Sequence, residues 1–326
     1  MQQRDTIVAL LHTHCNGYLT ACMNGFVMPA FFFLSGFVFS YHRNPCYRPF
    51  VYKRFRQLVV PYLWINAVAY VAWVAVLRNY GNDAAAGTAW HEPLAAALLG
   101  IPPGLAHDIP LWSLLSFFMV EVIYYPLRRH LIKNDFIIAV LFFTIFALLS
   151  CADFSFRVLP LCLGPATGGI AYYALGRALR SCGKAAACVA RPRWHIAPGA
   201  LAAYAASVCV NGDTQFYIND IGNPFLFALT SCAGIVALIQ ISSAVSRILS
   251  EPCIVRLAAR GTLLICGFHL LAFSAIKGVL QFGLGINYTS ATDTIAHGIL
   301  TALASVLLCL PVIWLTEKYL RPLIYK

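Results

Sequence analysis

Charge is what this sequence has least of. Charged residues make up 11% of its 326 positions, and only 12 residues are acidic. Soluble domains carry about 25% charge and about 45–50% apolar residues. Here 60% of the chain is hydrophobic, so most of it faces lipid or a core embedded in lipid. No sizeable water-soluble segment is present to carry a duplex-binding face, so the net charge of +11 does not point to nucleic acid. Cysteine is plentiful at 12 residues, but no C-x-x-C pair occurs and most cysteines lie inside apolar runs. That pattern excludes a disulfide framework and the usual thiolate metal spacings. The thiols read as small hydrophobes, and no metal is expected. No internal repeat is visible. The chain start has almost no basic n-region, two histidines interrupt its apolar run, and no A-x-A site precedes Gly25. The first run is therefore expected to stay in the mature protein rather than leave as a signal peptide.

What is present is a series of apolar runs at about 6 to 22, 25 to 41, 58 to 77, 110 to 127, 136 to 151, 158 to 176, 195 to 210, 224 to 245, 261 to 283 and 294 to 316. A helix needs about 20 apolar residues to cross roughly 30 Å of hydrocarbon, and these runs predict ten spans. Charge supplies an independent test. Taken in alternation, the loops of one side hold Arg4, Arg43, Arg48, Lys53, Arg54, Arg56, Arg128, Arg129, Lys133, Arg177, Arg180, Lys184, Arg191, Arg193, Arg247, Arg256, Arg260, Lys318, Arg321 and Lys326, which is 20 of the 23 basic residues. The other side holds Arg78, Arg157 and Lys277 together with seven of the twelve acids: Asp83, Glu92, Asp108, Asp153, Asp213, Asp220 and Asp293. Basic loops mark the cytoplasmic side. The predicted fold is an all-α, polytopic transmembrane helical bundle of ten spans, both termini cytoplasmic, forming one integral membrane domain over 1–326.

Two features stand out along this frame. The stretch from Gly25 to Tyr62 joins two spans through a basic hinge, Arg43 to Arg56. The longest connection, Asn79 to Ile109, falls on the outer side with four proline or glycine breaks (Pro93, Pro102, Pro103, Gly104), His91 and His107. It reads equally as a functional loop or as a passive one with an interfacial turn around Leu94 to Leu99.

Ionisable groups inside a bilayer are costly and usually face a cavity or a partner. His12 lies eight residues from Arg4, His269 nine from Arg260, Glu121 seven from Arg128 and Ser35 eight from Arg43. At about 1.5 Å per residue all four reach a common depth of roughly 10–14 Å below the cytoplasmic surface. The layer predicts a site. The alternative is that each group bonds to a neighbouring helix as packing. His14 is two residues from His12 and points about 200° away, so one of the two faces a given cavity.

The order of short motifs along the whole chain resembles acyltransferase family 3, the integral membrane O-acyltransferases, nearest to the polysaccharide and fucose O-acetylase group. The resemblance rests on Leu10-Leu11-His12-Thr13, on Met28-Pro29-Ala30-Phe31-Phe32-Phe33-Leu34-Ser35-Gly36-Phe37, and on Lys53-Arg54-Phe55-Arg56 leading to Pro61-Tyr62. It continues in Pro110-Leu111-Trp112, Leu175-Gly176-Arg177, and Gly261-Thr262-Leu263-Leu264-Ile265 followed by His269. Three positions depart from the family pattern. Arg4 lies eight residues before His12 where the family has a basic residue eleven before; Val27 replaces a histidine before Met-Pro; and Lys53 with Arg56 hold the spacing of two arginines.

The resemblance implies transfer of an acyl group, usually acetyl, from cytoplasmic acyl-CoA to a hydroxyl of a sugar or glycolipid. It makes acetyl-CoA the donor substrate, a cell-surface or lipid-linked glycan the acceptor, and the cytoplasmic (inner) membrane the location of a multi-pass enzyme. His12 is preferred over His14 because the family histidine precedes Ser or Thr. A neutral imidazole serves as base for the acceptor hydroxyl. His269 and Glu121 complete the expected catalytic set, and Lys53, Arg54 and Arg56 are expected to hold the phosphates of CoA. Two other readings remain: a transporter or flippase of a lipid-linked sugar, with Pro160, Pro165, Gly168 and Gly169 able to break the sixth span, and a non-catalytic relative that keeps the fold.

Overall fold

The computed structural model describes residues 17–80, 86–191, 193, 196–248, 257, 261–285 and 295–319. Every regular element among them is helical, and the β-structure among them is a lone bridge between Gln215 and Asp220. In chain order the α-helices of eight residues or more are α1 (Gly17–Asn24), α2 (Val27–Val38), α3 (Tyr47–Arg54), α4 (Val60–Ala75), α5 (His91–Leu99), α6 (Trp112–Pro126), α7 (Asp135–Ser150), α8 (Leu163–Ser181), α9 (Gly183–Ala190), α10 (Ile196–Asn211), α11 (Pro224–Ile248), α12 (Thr262–Gly278) and α13 (Ile295–Tyr319). Among the described residues six stretches suffice by length and apolar composition to cross a bilayer: Thr20–Val38, Tyr47–Asn79, Ile109–Leu131, Pro224–Arg247, Thr262–Gly283 and Gly298–Tyr319. The expected runs at 136–151 and 195–210 coincide with α7 and α10, each of 16 residues, or about 24 Å, shorter than a full span. The run at 158–176 coincides with most of α8. Most of the run at 6–22 lies outside the described residues, and the break expected after it falls at the turn Gly25–Phe26.

The basic hinge differs from its expected form. Lys53, Arg54 and Arg56 sit on a helix that runs from Tyr47 to Asn79. Its widened π-turn, Phe55–Val59, lies just before Pro61. Proline has no N–H for the carbonyl four residues back and its ring crowds that carbonyl, so a wider turn there accommodates the ring without ending the helix. Pro126 is the last residue of α6, and there the π-turn, Leu127–Leu131, follows the proline. The carbonyl of Val122, four residues before Pro126, accepts a hydrogen bond from the Tyr47 hydroxyl at 3.1 Å.

The chain divides into two compact units. One takes in Val59–Trp112 with the described parts of the first 20 residues and of Glu251–Lys326; the other takes in Ala21–Leu58 and Ser113–Ser250. In the second unit α8 packs on α2 and α7. Gly36 and Gly176 make the first of these contacts backbone to backbone: a Cβ on Gly36 would lie 1.9 Å from the Tyr173 carbonyl oxygen, and one on Gly176 2.0 Å from that of Phe33. Small residues at helix crossings let membrane helices approach this closely. The two ends of this unit differ in charge. At one end Arg177 and Arg180 of α8 donate to the carbonyls of Phe39 and Phe37, and Arg129 to that of Pro45. At the other end Asn24 donates to Asp213, and Arg157 lies 4.0 Å from Asp220. Segments assigned to opposite sides by charge alone thus gather at opposite ends.

In the first unit α12 packs on α13 through Leu264, Ile265, Cys309 and Ile313, all buried, with Trp64 against them. The α4–α6 connection is no free outer loop. Tyr70 donates to the Trp90 carbonyl and Tyr62 to that of Ala97, so α5 runs antiparallel along α4, back to that helix's first turn.

Candidate active site

In the second unit the hinge delivers one cation to a buried carboxylate. Glu121, on the third turn of α6, is 5% exposed, and its Oε2 lies 2.7 Å from Arg54 Nε. Arg54 also donates to the Gln57 side chain at 3.0 Å, across the π-turn, and its guanidinium rests 5.6 Å from the Phe50 ring centroid. Three contacts thus hold one guanidinium, and a buried pair left with one member is costly. Lys53 is exposed, and Arg56 lies 6.0 Å from the Tyr52 ring. Of the three expected donor-binding cations, the structure therefore brings Arg54 to Glu121 and leaves the other two along the helix surface. Ser35 keeps its place on α2, with its carbonyl capping Phe39 at 3.1 Å.

In the first unit His269, on the second turn of α12, is fully buried. Its Nδ1 lies 2.9 Å from both the Ile265 and the Cys266 carbonyl oxygens. Carbonyls only accept, so Nδ1 carries the proton and Nε2 is the lone-pair nitrogen. His12 and His14 lie outside the described residues. A second buried polar group comes from the connection that reads as an outer loop. Asn66 of α4 donates to the Tyr62 carbonyl at 2.7 Å and its Oδ1 meets His107 Nε2 at 2.8 Å. Beside it Asp108, 1% exposed, opens the single turn Ile109–Leu111, with neither carboxylate oxygen bonded among the described residues. Burial pushes the His107 imidazole down to about 4 and the Asp108 carboxyl well above the usual range, both because a charged form loses its hydration. Asn66 was readable as a member of a polar stripe, Tyr62, Asn66 and Tyr70, recurring every four residues on an apolar helix. Its partner 41 residues on was not.

At the basic end of the second unit the segment after α2 meets the end of α6. Tyr41 donates to the Tyr125 carbonyl at 3.2 Å, and Tyr125 donates to the Asn44 carbonyl at 2.9 Å. A cavity of about 450 Å³ opens there among Tyr41, His42, Pro45, Arg128, Arg129 and Lys133. Burial pushes the Tyr41 hydroxyl up to about 12, against the pull of Arg128, so it remains a neutral phenol. Among the described residues no three His, Cys, Asp or Glu side chains are grouped as metal ligands would be.

These features define a multi-pass α-helical membrane protein with buried polar pairs in each unit. A family model described as "Acyltransferase domain" matches residues 8–315, and the chain belongs to that family, acyltransferase family 3. Neither the curated proteins nor the solved structures contain a match to this chain.

Proposed function

We propose that this protein is an O-acetyltransferase of the cytoplasmic (inner) membrane, moving an acetyl group from acetyl-CoA to a sugar hydroxyl of a cell-surface or lipid-linked glycan, with the two units acting as one membrane domain. The observation that carries the reading is Arg54, held by Glu121, Gln57 and Phe50 at the cationic end of a membrane bundle. A guanidinium fixed this way presents its remaining N–H groups to a phosphate or a thioester oxygen without further ordering. Glu121 is then a positioning residue, and Lys53 and Arg56 add charge for the phosphates of CoA.

His12 is the proposed base. It takes the proton of the acceptor hydroxyl as the oxygen attacks the thioester carbonyl; the C–S bond breaks, an ester C–O bond forms, and the proton passes to the departing thiolate of CoA. His269 assists through Nε2. One observation favours a second assignment, His269 as the base itself: its Nδ1 proton is fixed on two carbonyls, which keeps the basic nitrogen on the other side of the ring.

The test is transfer of labelled acetyl from acetyl-CoA by the purified protein to a membrane glycolipid fraction, read by mass spectrometry. Ester-linked label in the glycan is expected. Glycolipid crossing the bilayer without any ester formed would identify a flippase, and neither outcome would identify a non-catalytic relative.

A further inference from the structure

We propose that the cavity among Tyr41, His42, Pro45, Arg128, Arg129 and Lys133 is a phosphate-binding site, separate from the Arg54–Glu121 pair. Its volume of about 450 Å³ falls within the roughly 300–1,000 Å³ of small-molecule sites. Its cations differ in how their charge is met. Arg128 is offset internally: its Nε lies 2.6 Å from Asp135, whose carboxylate also accepts from Tyr124 at 2.5 Å. Arg129 and Lys133 have no carboxylate partner among the described residues. Instead they are held by neutral acceptors. Arg129 donates to the Pro45 carbonyl at 2.5 Å and to the Tyr125 hydroxyl at 2.7 Å, with its guanidinium 5.8 Å from that ring's centroid. Lys133 donates to the Arg129 carbonyl.

Two solvent-exposed cations are thus held side by side at one cavity with no carboxylate between them among the described residues. Sidedness alone calls for cations at this end of the bundle, and the carbonyls ending a helix attract a lysine. Neither calls for Arg129 to be pinned against a loop 84 residues earlier in the chain, nor for that loop and the π-turn to flank one open cleft. An anionic phosphate meets both cations, and Arg129 keeps N–H groups for it beyond the two already used.

Two sources of phosphate reach this end of a membrane protein: the 3′-phosphate of a CoA thioester, and the headgroup of an anionic phospholipid. For the first, which rests on the reading given above, an aromatic path leads inward. Phe50 stacks on Tyr125 at 5.0 Å, and Arg54 lies over Phe50.

The purified full chain in nanodiscs separates these sources. Binding of CoA and of dephospho-CoA, which lacks the 3′-phosphate, is measured in zwitterionic discs for wild type, Arg129→Gln/Lys133→Gln and, as a cation outside the cavity, Arg43→Gln. Thermal stability is then compared between zwitterionic discs and discs containing phosphatidylglycerol. With CoA as the source, the double variant loses roughly tenfold or more in CoA affinity, as expected for lost charge-assisted bonds, and dephospho-CoA binds both proteins alike. With lipid as the source, CoA binding is unchanged, but phosphatidylglycerol raises the melting temperature of wild type and Arg43→Gln and not of the double variant. Either pattern supports the site. The site is overturned if the double variant matches wild type in both arms or if Arg43→Gln gives the same losses. If the lipid arm alone responds, or neither does, acetyl transfer by wild type still decides the proposed function on its own.

Discussion

The second unit pairs two of its arginines with carboxylates, whereas the first holds its buried histidines with neutral hydrogen bonds. Arg54 faces Glu121 and Arg128 faces Asp135, but His269 rests on two backbone carbonyls and His107 on an asparagine. The difference follows the chemistry each is suited to. A guanidinium meant to meet an anion keeps its charge at any physiological pH, and an acidic partner aims it. An imidazole meant to take a proton must stay neutral, and a carbonyl on one nitrogen sets its tautomer without adding charge. Substitutions should therefore fail differently in the two units.

The largest effect is expected among the histidines. His12→Ala should lower acetyl transfer by roughly 10²–10⁴-fold with acetyl-CoA still bound, the usual loss when a positioned base is removed, and His14→Ala should be mild. His269→Ala should fall between them. Single-turnover transfer with a separate binding measurement checks this, and a dead His269→Ala beside an active His12→Ala would move the base to α12.

Breaking the charged set should cost stability as well as activity. Glu121→Ala leaves Arg54 without its counter-charge, and loss of one member of a buried pair costs about 3–5 kcal/mol; with Arg54 part-exposed the lower end is expected. Adding Arg54→Met should recover much of the melting temperature without recovering CoA affinity. Recovery of both would reduce the pair to packing.

A subtler contrast lies within the first unit, where His107 and Asp108 respond to pH with opposite signs. The folded state disfavours protonated His107, so its contribution is full above about 6.5 and is lost as pH falls toward about 4. The folded state disfavours ionised Asp108, so its contribution is full at low pH and is lost as pH rises above the 3.8 of an ordinary aspartate. Between pH 7 and 5 the two oppose each other. Asp108→Asn should therefore steepen the loss of melting temperature on acidification, and His107→Gln should reverse it. Melts of both variants that parallel wild type across this range would remove the two groups from the account. The smallest effect is expected for Tyr47→Phe, which frees the Val122 carbonyl again and should cost about 1 kcal/mol, read as a small drop in melting temperature.

By itself the sequence determined the solvent, the helical class and the family. Scarce charge and long apolar runs require a bilayer, and helices follow because a lipid-exposed backbone must satisfy its own hydrogen bonds. The alternation of basic and acidic loops anticipated which segments gather at each end of the second unit, since that pattern is a sum over many local residues. Only the tertiary structure decided the pairings. Arg54 and Glu121 are 67 positions apart, and His107 and Asn66 are 41 apart; no periodicity links them, because helix period fixes which face a residue occupies and not which helix that face meets. The same reason explains the motif glycines. Gly36 and Gly176 are visible as residues in a family pattern, but that they are the places where two helix backbones touch is a fact of packing.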